Sequence, residues 1–412
     1  MKSSTRFRLS VMMFLNFFIW GGWFVTLGTF LSNNLHASGA ETGSVFSTQS
    51  WGAIIAPFII GLIADRYFNA EKILGVLHLA GAFMMYQMYK SADMTSFYPY
   101  VLGYMIVYMP TLALVNSVAF NQMGDPEKEF SSIRVFGTLG WIVAGLAISY
   151  IFHWDSQENT TAGLLKNTFL MASIASLAMG LFSFTLPKTP PKKSTGEKVT
   201  VSEMLGLNAL SLLKDKNFAI FFVSSVLICI PLAFYYQNAN AFLSNIGMEN
   251  PTGKMTIGQI SEVLFLLLLP VFFTKYGFKK TILVGMLAWA VRYVLFAYGN
   301  AGSLSFMLLT GIALHGVCYD FFFVSGQIYT NSKAGEKYKS AAQGLITLAT
   351  YGVGMLIGFR VAGIITDHYK TADTVFDYKM IWLIPSGIAL AVFLIFAATF
   401  KDEAKQPVIS KA

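Results

Sequence analysis

The sequence predicts an all-α membrane protein with twelve transmembrane helices divided into two six-helix halves. Three observations carry that prediction: the composition, the regular return of apolar runs long enough to span a bilayer, and the placing of basic residues between those runs. Of 412 residues, 55% are hydrophobic and 12% charged, whereas a soluble domain has about 25% charged. Mean hydropathy is +0.57, and 37 Phe, 19 Tyr and 7 Trp make aromatic residues 15% of the chain. Too few polar side chains remain to cover a water-facing surface, so most residues must meet lipid or one another. The net charge of +8 argues for topology and against a nucleic-acid partner, because the basic residues sit between apolar runs and build no stripe.

A span needs about 20 apolar residues to cross about 30 Å of hydrocarbon. Runs that meet this test occur near 9–31, 43–64, 73–90, 96–122, 131–153 and 164–187. After a polar stretch they return near 217–245, 256–274, 280–298, 302–329, 339–365 and 378–400. The first run follows Lys2, Arg6 and Arg8 as in a secretion signal, but it is too long and no small-residue cleavage site follows, so it reads as a retained span. Cytoplasmic loops hold an excess of Lys and Arg. With the N-terminus inside, the inner segments carry 21 Lys and Arg and the outer loops 5, which puts both termini in the cytoplasm. The stretch 186–200, LPKTPPKKSTGEKVT, is Pro- and Lys-rich and reads as a cytoplasmic linker with no packing of its own. The expected organisation is an N-terminal half over 1–187, a linker over 188–216 and a C-terminal half over 217–412.

An enzyme is not expected. The sequence has no HExxH, GxSxG or phosphate-loop pattern, and no His, Cys, Asp or Glu group has metal-ligand spacing, so neither cofactor nor metal is implied. Cys229 and Cys318 lie inside apolar runs and read as small core residues.

An ionisable group near the bilayer centre costs at least about 2.5 kcal/mol on insertion scales, which makes each one a functional candidate. Arg134, Glu262, Arg292, His315 and Asp320 meet that description. Arg134 lies close enough to the end of span 5 to snorkel, yet with Gly137, Thr138 and Trp141 it forms one helix face that looks like a cavity lining. Gln259 and Glu262 share a face of span 8. Glu262 there either handles cargo or a proton, or pairs with Arg292 on span 9. In span 10, His315 and Tyr319 face one way and Asp320 is rotated from them, near the depth of Arg134. Asp320 is therefore open to a pair between the halves or to a fixed tie within the second half. A carboxylate that pairs in one state and protonates in the other can couple a proton to movement. Span 7 adds Tyr235, Tyr236, Gln237, Asn238 and Asn240. Amides read hydroxyls and heterocycle edges, and rings stack on flat solutes, so the group suits a neutral, hydroxylated, partly aromatic solute. Gly354-x-x-x-Gly358 reads as a helix-packing motif.

Two six-span halves joined by a long basic loop resemble the major facilitator superfamily, whose halves rock about a midplane site. Gly61-Leu-Ile-Ala-Asp65-Arg66 resembles the start of its signature after span 2, which then departs at Phe68-Asn69-Ala70. Within the superfamily the chain resembles the nucleoside:proton symporters, the bacterial inner-membrane nucleoside permeases. The likeness concentrates in Trp20-Gly-Gly-Trp23 with Thr26-Leu27-Gly28, Tyr108-Met-Pro110-Thr111-Leu112, Ile133-Arg134 with Gly137-Thr138, and Gln259-Ile-Ser-Glu262. It continues in Leu295-Phe-Ala-Tyr-Gly299, Asp320-Phe-Phe and Ala342-Gln343-Gly344.

The resemblance implies a proton-coupled nucleoside importer, multi-pass in a bacterial inner membrane and working by alternating access. A monomer is expected, with nucleoside, protons and lipid as its partners. On the same resemblance Arg134, Thr138 and Trp141 contact the nucleoside, Gln259 and Glu262 bind ribose or base, and Asp320 is the carboxylate of proton coupling, with Glu262, as a buried carboxylate, the other candidate for the proton. Tyr236, Gln237, His315 and Tyr319 complete the expected contact set. Some of these depart from the family, where Gln and Asn stand early in the span 7 cluster against Ala233 and Tyr236 here, and a Tyr stands in span 10 against His315. A proton-coupled sugar or oligosaccharide symporter is the alternative, since an Arg, carboxylates and Trp also suit sugars.

Overall fold

The computed structural model describes residues 2–60, 67–191, 200, 202, 205, 207–372 and 375–401, without the side chains of 126–128 and 336–340. The Gly61 to Arg66 motif lies outside the described residues. Among the described residues there are twelve helical spans, close to the predicted limits, with local differences that have physical causes. Span 1 is broken: Ser3–Gly21 ends in a turn and the chain resumes as Leu27–Asn33. Glycines stand at the break, and Gly28 packs so closely on the backbone of Gln237 that a side chain there would collide with it. Span 2, Gly39–Ile59, starts on Ser38, whose hydroxyl accepts from Glu41 N–H in a reciprocal cap. Spans 3 to 6 are Ala70–Lys90, Met94–Asn121, Pro126–Leu146 and Asn167–Ser183. Span 7 is Lys216–Asn245.

Spans 8 and 9 run on as Pro251–Tyr298, turned at Gly277 with φ 76° and ψ 177°. Spans 10 and 11 turn at Gly335, with φ 61° and ψ 175°. Both angles lie where only glycine sits without strain, so the short loops expected near Lys275–Lys280 and Lys333–Lys339 are single-glycine corners. Span 12 is Tyr378–Thr399.

Eight described helices are long and apolar enough to cross a membrane, the Pro251–Tyr298 pair counting as one. Spans 1 to 3 are the remainder. Spans 2 and 3 turn polar groups such as Thr48, Gln49, Glu71 and His78 inward, where protein and not lipid surrounds them.

Packing repeats between the halves. In the first, span 1 lies on span 5, span 2 on span 4 and span 3 on span 6. In the second, span 7 lies on span 11, span 8 on span 10 and span 9 on span 12. The halves meet through spans 2 and 11, 5 and 8, and 1 and 7, a set that maps onto itself when the halves are exchanged. The Gly354-x-x-x-Gly358 motif does pack closely: a Cβ on Gly358 would sit 2.7 Å from Ala233 Cβ on span 7.

The linker departs from expectation in its described parts. Thr189 is buried, its N–H donates to Glu71 Oε2 at 2.8 Å, and its carbonyl accepts Ala70 N–H. The start of span 3 has unpaired N–H groups, and the Pro-rich strand satisfies one of them. Further on, Leu207–Lys214 forms a 3-10 turn that buries Ala209 against Ala334, Ala342 and Leu345.

Candidate functional site

At the end of the bundle away from the chain termini, the halves are tied together. Asp367, closing span 11, accepts Gly39 N–H at 2.5 Å and Ala40 N–H at 2.8 Å from the first turn of span 2. The partner-exchanged equivalent is Asp155, following span 5, which accepts Thr252 N–H at 2.9 Å from the first turn of span 8. Ser149 bridges Asp155 Oδ2 to Gly253 N–H. Two carboxylates thus cap, across the interface, the helix N-termini that attract negative charge. Thr29 with Asn240 and Asn33 with Asn245 add hydrogen bonds between spans 1 and 7 at the same end.

Beneath this closure lies a cavity of about 440 Å³, counted out to its mouth. The N-terminal half supplies Phe24 and Trp141, and the C-terminal half Tyr235, Tyr236, Thr256 and Gln259. Trp20 braces this aromatic wall, 5.5 Å from Trp141 and 5.6 Å from Tyr108 between ring centroids. Phe24 and Tyr236 close on each other from opposite halves at 6.0 Å. Rings in edge-to-face contact at these separations give the chamber an aromatic wall.

The charged groups gather beside it. Arg134 does not snorkel: its guanidinium lies 4.2 Å over the Phe17 ring and its charge reaches Glu262. Thr138 and Trp141 follow on the same helix face. Glu262 keeps 28% of its side chain accessible and lies 4.0 Å from His315 Nε2. It is also in electrostatic reach of Tyr236, Tyr319 and Asp320. Glu262 is therefore the point where both halves and most of the predicted residues converge. Tyr319 joins from span 10, its hydroxyl 2.7 Å from that of Tyr351.

Two open alternatives close and one expectation is corrected. Glu262 does not pair with Arg292. Gly316 and Gly258 let span 10 press against span 8, so His315 stands beside Glu262 and takes Arg292 itself, Nη1 to Nδ1 at 3.2 Å. Asp320 makes no pair with Arg134 among the described residues. It is buried, begins a π-turn over Asp320–Val324, and leaves Oδ2 without a hydrogen-bond partner. Nor does the span 7 cluster act as one surface, because consecutive helical residues point about 100° apart. Tyr235 and Tyr236 border the chamber, Asn238 bonds Thr366 and Asn240 bonds Thr29. Gln237 instead lines a second cavity, of about 400 Å³ when counted out to its mouth, with Ser32, Thr366 and Tyr378. Phe24 and Thr256 belong to the chamber although nothing in their local sequence marks them, whereas Tyr235 belongs to the span 7 group. The polar and aromatic density of spans 1 and 7 was the available signal.

Among the described residues no cluster suited to a metal ion is found, and Cys229 and Cys318 are buried free thiols, as read from the sequence.

A bundle whose two equivalent halves clamp a polar, aromatic chamber, shut at one end by contacts between halves, is built as a membrane carrier. The chain matches the family model described as Nucleoside H+ symporter over residues 3–405. It belongs to that family, and its fold is that of the major facilitator transporters. YegT of Escherichia coli K12, itself named only as a candidate nucleoside transporter, is 41% identical over 408 residues, covering 97% of this chain and 94% of its own length. The xanthosine permease of the same strain is 35% identical over 415 residues, covering 97% and 96%. The crystal structure of the nucleoside transporter NupG aligns with a TM-score of 0.87 at 28% identity, over 97% of this chain and all of that one.

Proposed function

We propose that this protein imports one nucleoside with protons across a bacterial inner membrane, both termini facing the cytoplasm, as a monomer whose halves rock about the chamber. The observation that carries the reading is the convergence on Glu262 of Arg134 from one half and His315 from the other, next to an aromatic-lined chamber. In this reading Trp141 and Tyr236 stack on the base, while Gln259, Glu262, Arg134, Thr138 and His315 hold ribose and base edges, with Tyr319 bordering them. Gln237, facing the second cavity, meets the solute on its way in. Asp320 carries the proton: it is buried, has an unpartnered oxygen and senses Glu262, so cargo and proton at neighbouring carboxylates influence each other.

One charge crossing 100 mV supplies about 2.3 kcal/mol, which supports about 50-fold accumulation. Uptake of radiolabelled uridine, inosine and adenosine into proteoliposomes tests this. An imposed inward proton gradient should drive accumulation, an uncoupler and Asp320→Asn should abolish it, and free sugars should not compete. Accumulation indifferent to both the uncoupler and Asp320→Asn removes the coupling, and competition by sugars alone moves the cargo to the sugar class.

A further inference from the structure

Arg292 has no exposed surface, and no carboxylate among the described residues pairs with it. Its guanidinium carbon lies 3.5 Å from the centre of the Tyr235 ring and 5.6 Å from that of Phe296. The Cys318 thiol is beside it. Its Nη1 makes a 3.2 Å hydrogen bond to His315 Nδ1. A guanidinium has five N–H donors and no acceptor. His315 Nδ1 must therefore offer its lone pair, and the single proton of the neutral imidazole then sits on Nε2. That nitrogen faces Glu262 Oε2 at 4.0 Å, beyond direct hydrogen-bond length. The ring cannot readily turn over: it stacks on Tyr235 at 5.5 Å and 23°, and Gly258 lies under its Cβ so closely that an added methyl there would be 3.2 Å away.

We propose that Arg292 is a positioning residue that fixes His315 as the Nε2–H tautomer. A donor that cannot become an acceptor thereby stands next to the Glu262 carboxylate, beside the chamber. Cargo must then offer an acceptor to His315 and a neighbouring N–H or O–H to Glu262, an edge found in the cyclic amide of an oxo-purine or oxo-pyrimidine. A tyrosine hydroxyl at this position would donate or accept with equal ease, so the histidine narrows what the site takes. The cargo half of this statement rests on the nucleoside reading above, whereas the tautomer does not.

Nitrogen-15 spectra of purified protein labelled at histidine test it, with His315→Gln assigning the signal among the five histidines of the chain. The expected wild-type signature is an unprotonated Nδ1 and a protonated Nε2, giving way to a mixture of tautomers in Arg292→Gln. A wild-type Nδ1–H or doubly protonated ring overturns the proposal.

Uptake kinetics read the consequence. Arg292→Gln and His315→Phe should each raise KM for uridine and inosine about tenfold, the scale of one lost hydrogen bond in a buried site. Arg292→Lys and His315→Gln, which can still donate, should recover most of the loss. If Arg292→Gln fails to fold, the wild-type spectrum and the two His315 variants still decide. Unchanged KM in His315→Phe overturns the donor role. Wild-type protein with the expected tautomer that carries no nucleoside refutes the cargo reading and leaves the positioning role standing.

Discussion

The paired caps at the far end set how firmly the halves are held, and their contribution can be worked out. Asp367 takes two backbone N–H groups from span 2, at 2.5 and 2.8 Å, and Asp155 takes one from span 8 directly and reaches a second through Ser149. A side-chain cap contributes about 1 kcal/mol, and a carboxylate at a helix N-terminus adds about 0.3–1 kcal/mol. With two donors captured, each latch favours the closed end by about 2 kcal/mol, or about 30-fold. Replacing Asp367 by Asn removes the charge and one acceptor. A state open at this end and populated at about 1% should then rise to roughly 10–20%. Asp155→Asn should act in the same direction, and the two together should add, because they sit on separate helix pairs.

Spin labels on the exposed residues Glu158 and Ser303, one in each half at this end, would report a longer distance population by pulsed electron resonance. Asp377→Asn is the control. Asp377 accepts Met380 N–H at 3.2 Å as the cap of span 12, within one half, so it removes the same chemistry without touching the interface. Distance distributions that stay unchanged in both latch variants, or that shift equally in Asp377→Asn, would refute the reasoning.

Other consequences concern packing and pH. Gly316→Ala should lower the melting temperature of detergent-solubilised protein, because its Cβ would fall 2.5 Å from the Ser261 carbonyl carbon and neither backbone can yield. A cost of about 1–3 kcal/mol is expected, whereas Gly387→Ala, with open space around it, should be neutral, and equal melting of the two would contradict the close contact of spans 8 and 10. Asp215 caps span 7 through Phe218 N–H at 2.9 Å and pairs with Lys333 at 3.0 Å. The backbone N–H and then the lysine hold its carboxyl below the usual range. A depressed folded-state value means its stabilisation is present above the unfolded carboxylate range, about pH 4, and disappears as pH falls through the lower folded value. Asp215→Asn should therefore cost at most about 1 kcal/mol at pH 7, discounted for an exposed pair, and the difference from wild type should shrink toward pH 3. A difference that grows on acidification would reverse the sign.

Much was legible before any coordinates. Apolar run length fixes the spans, because lipid tolerates a backbone only when every N–H and C=O bonds within its own helix. The same penalty marks Arg134, Glu262 and Asp320 as unusual, since a buried charge must do something or be satisfied by something. Period-3.6 spacing was enough to put Gln259 beside Glu262 and Thr138 beside Arg134. It failed where one residue's partner belongs to another helix. Which neighbour Arg292 chooses depends on Gly258 and Gly316 admitting span 10 against span 8, and no local pattern encodes that distance. The span 7 cluster failed for a related reason: Tyr236 and Gln237 are adjacent in sequence, yet the rotation of about 100° between them sends them to different cavities.

The amino-acid order alone determined the solvent this protein lives in and its pattern of crossings, because these follow from transfer energies summed along the chain, and its motifs carried the resemblance to its family. The tertiary structure alone decided who stands next to whom at the chamber and that two aspartates lock the far end. Such choices turn on the approach of helices tens to hundreds of residues apart, where a methyl group more or less settles the outcome.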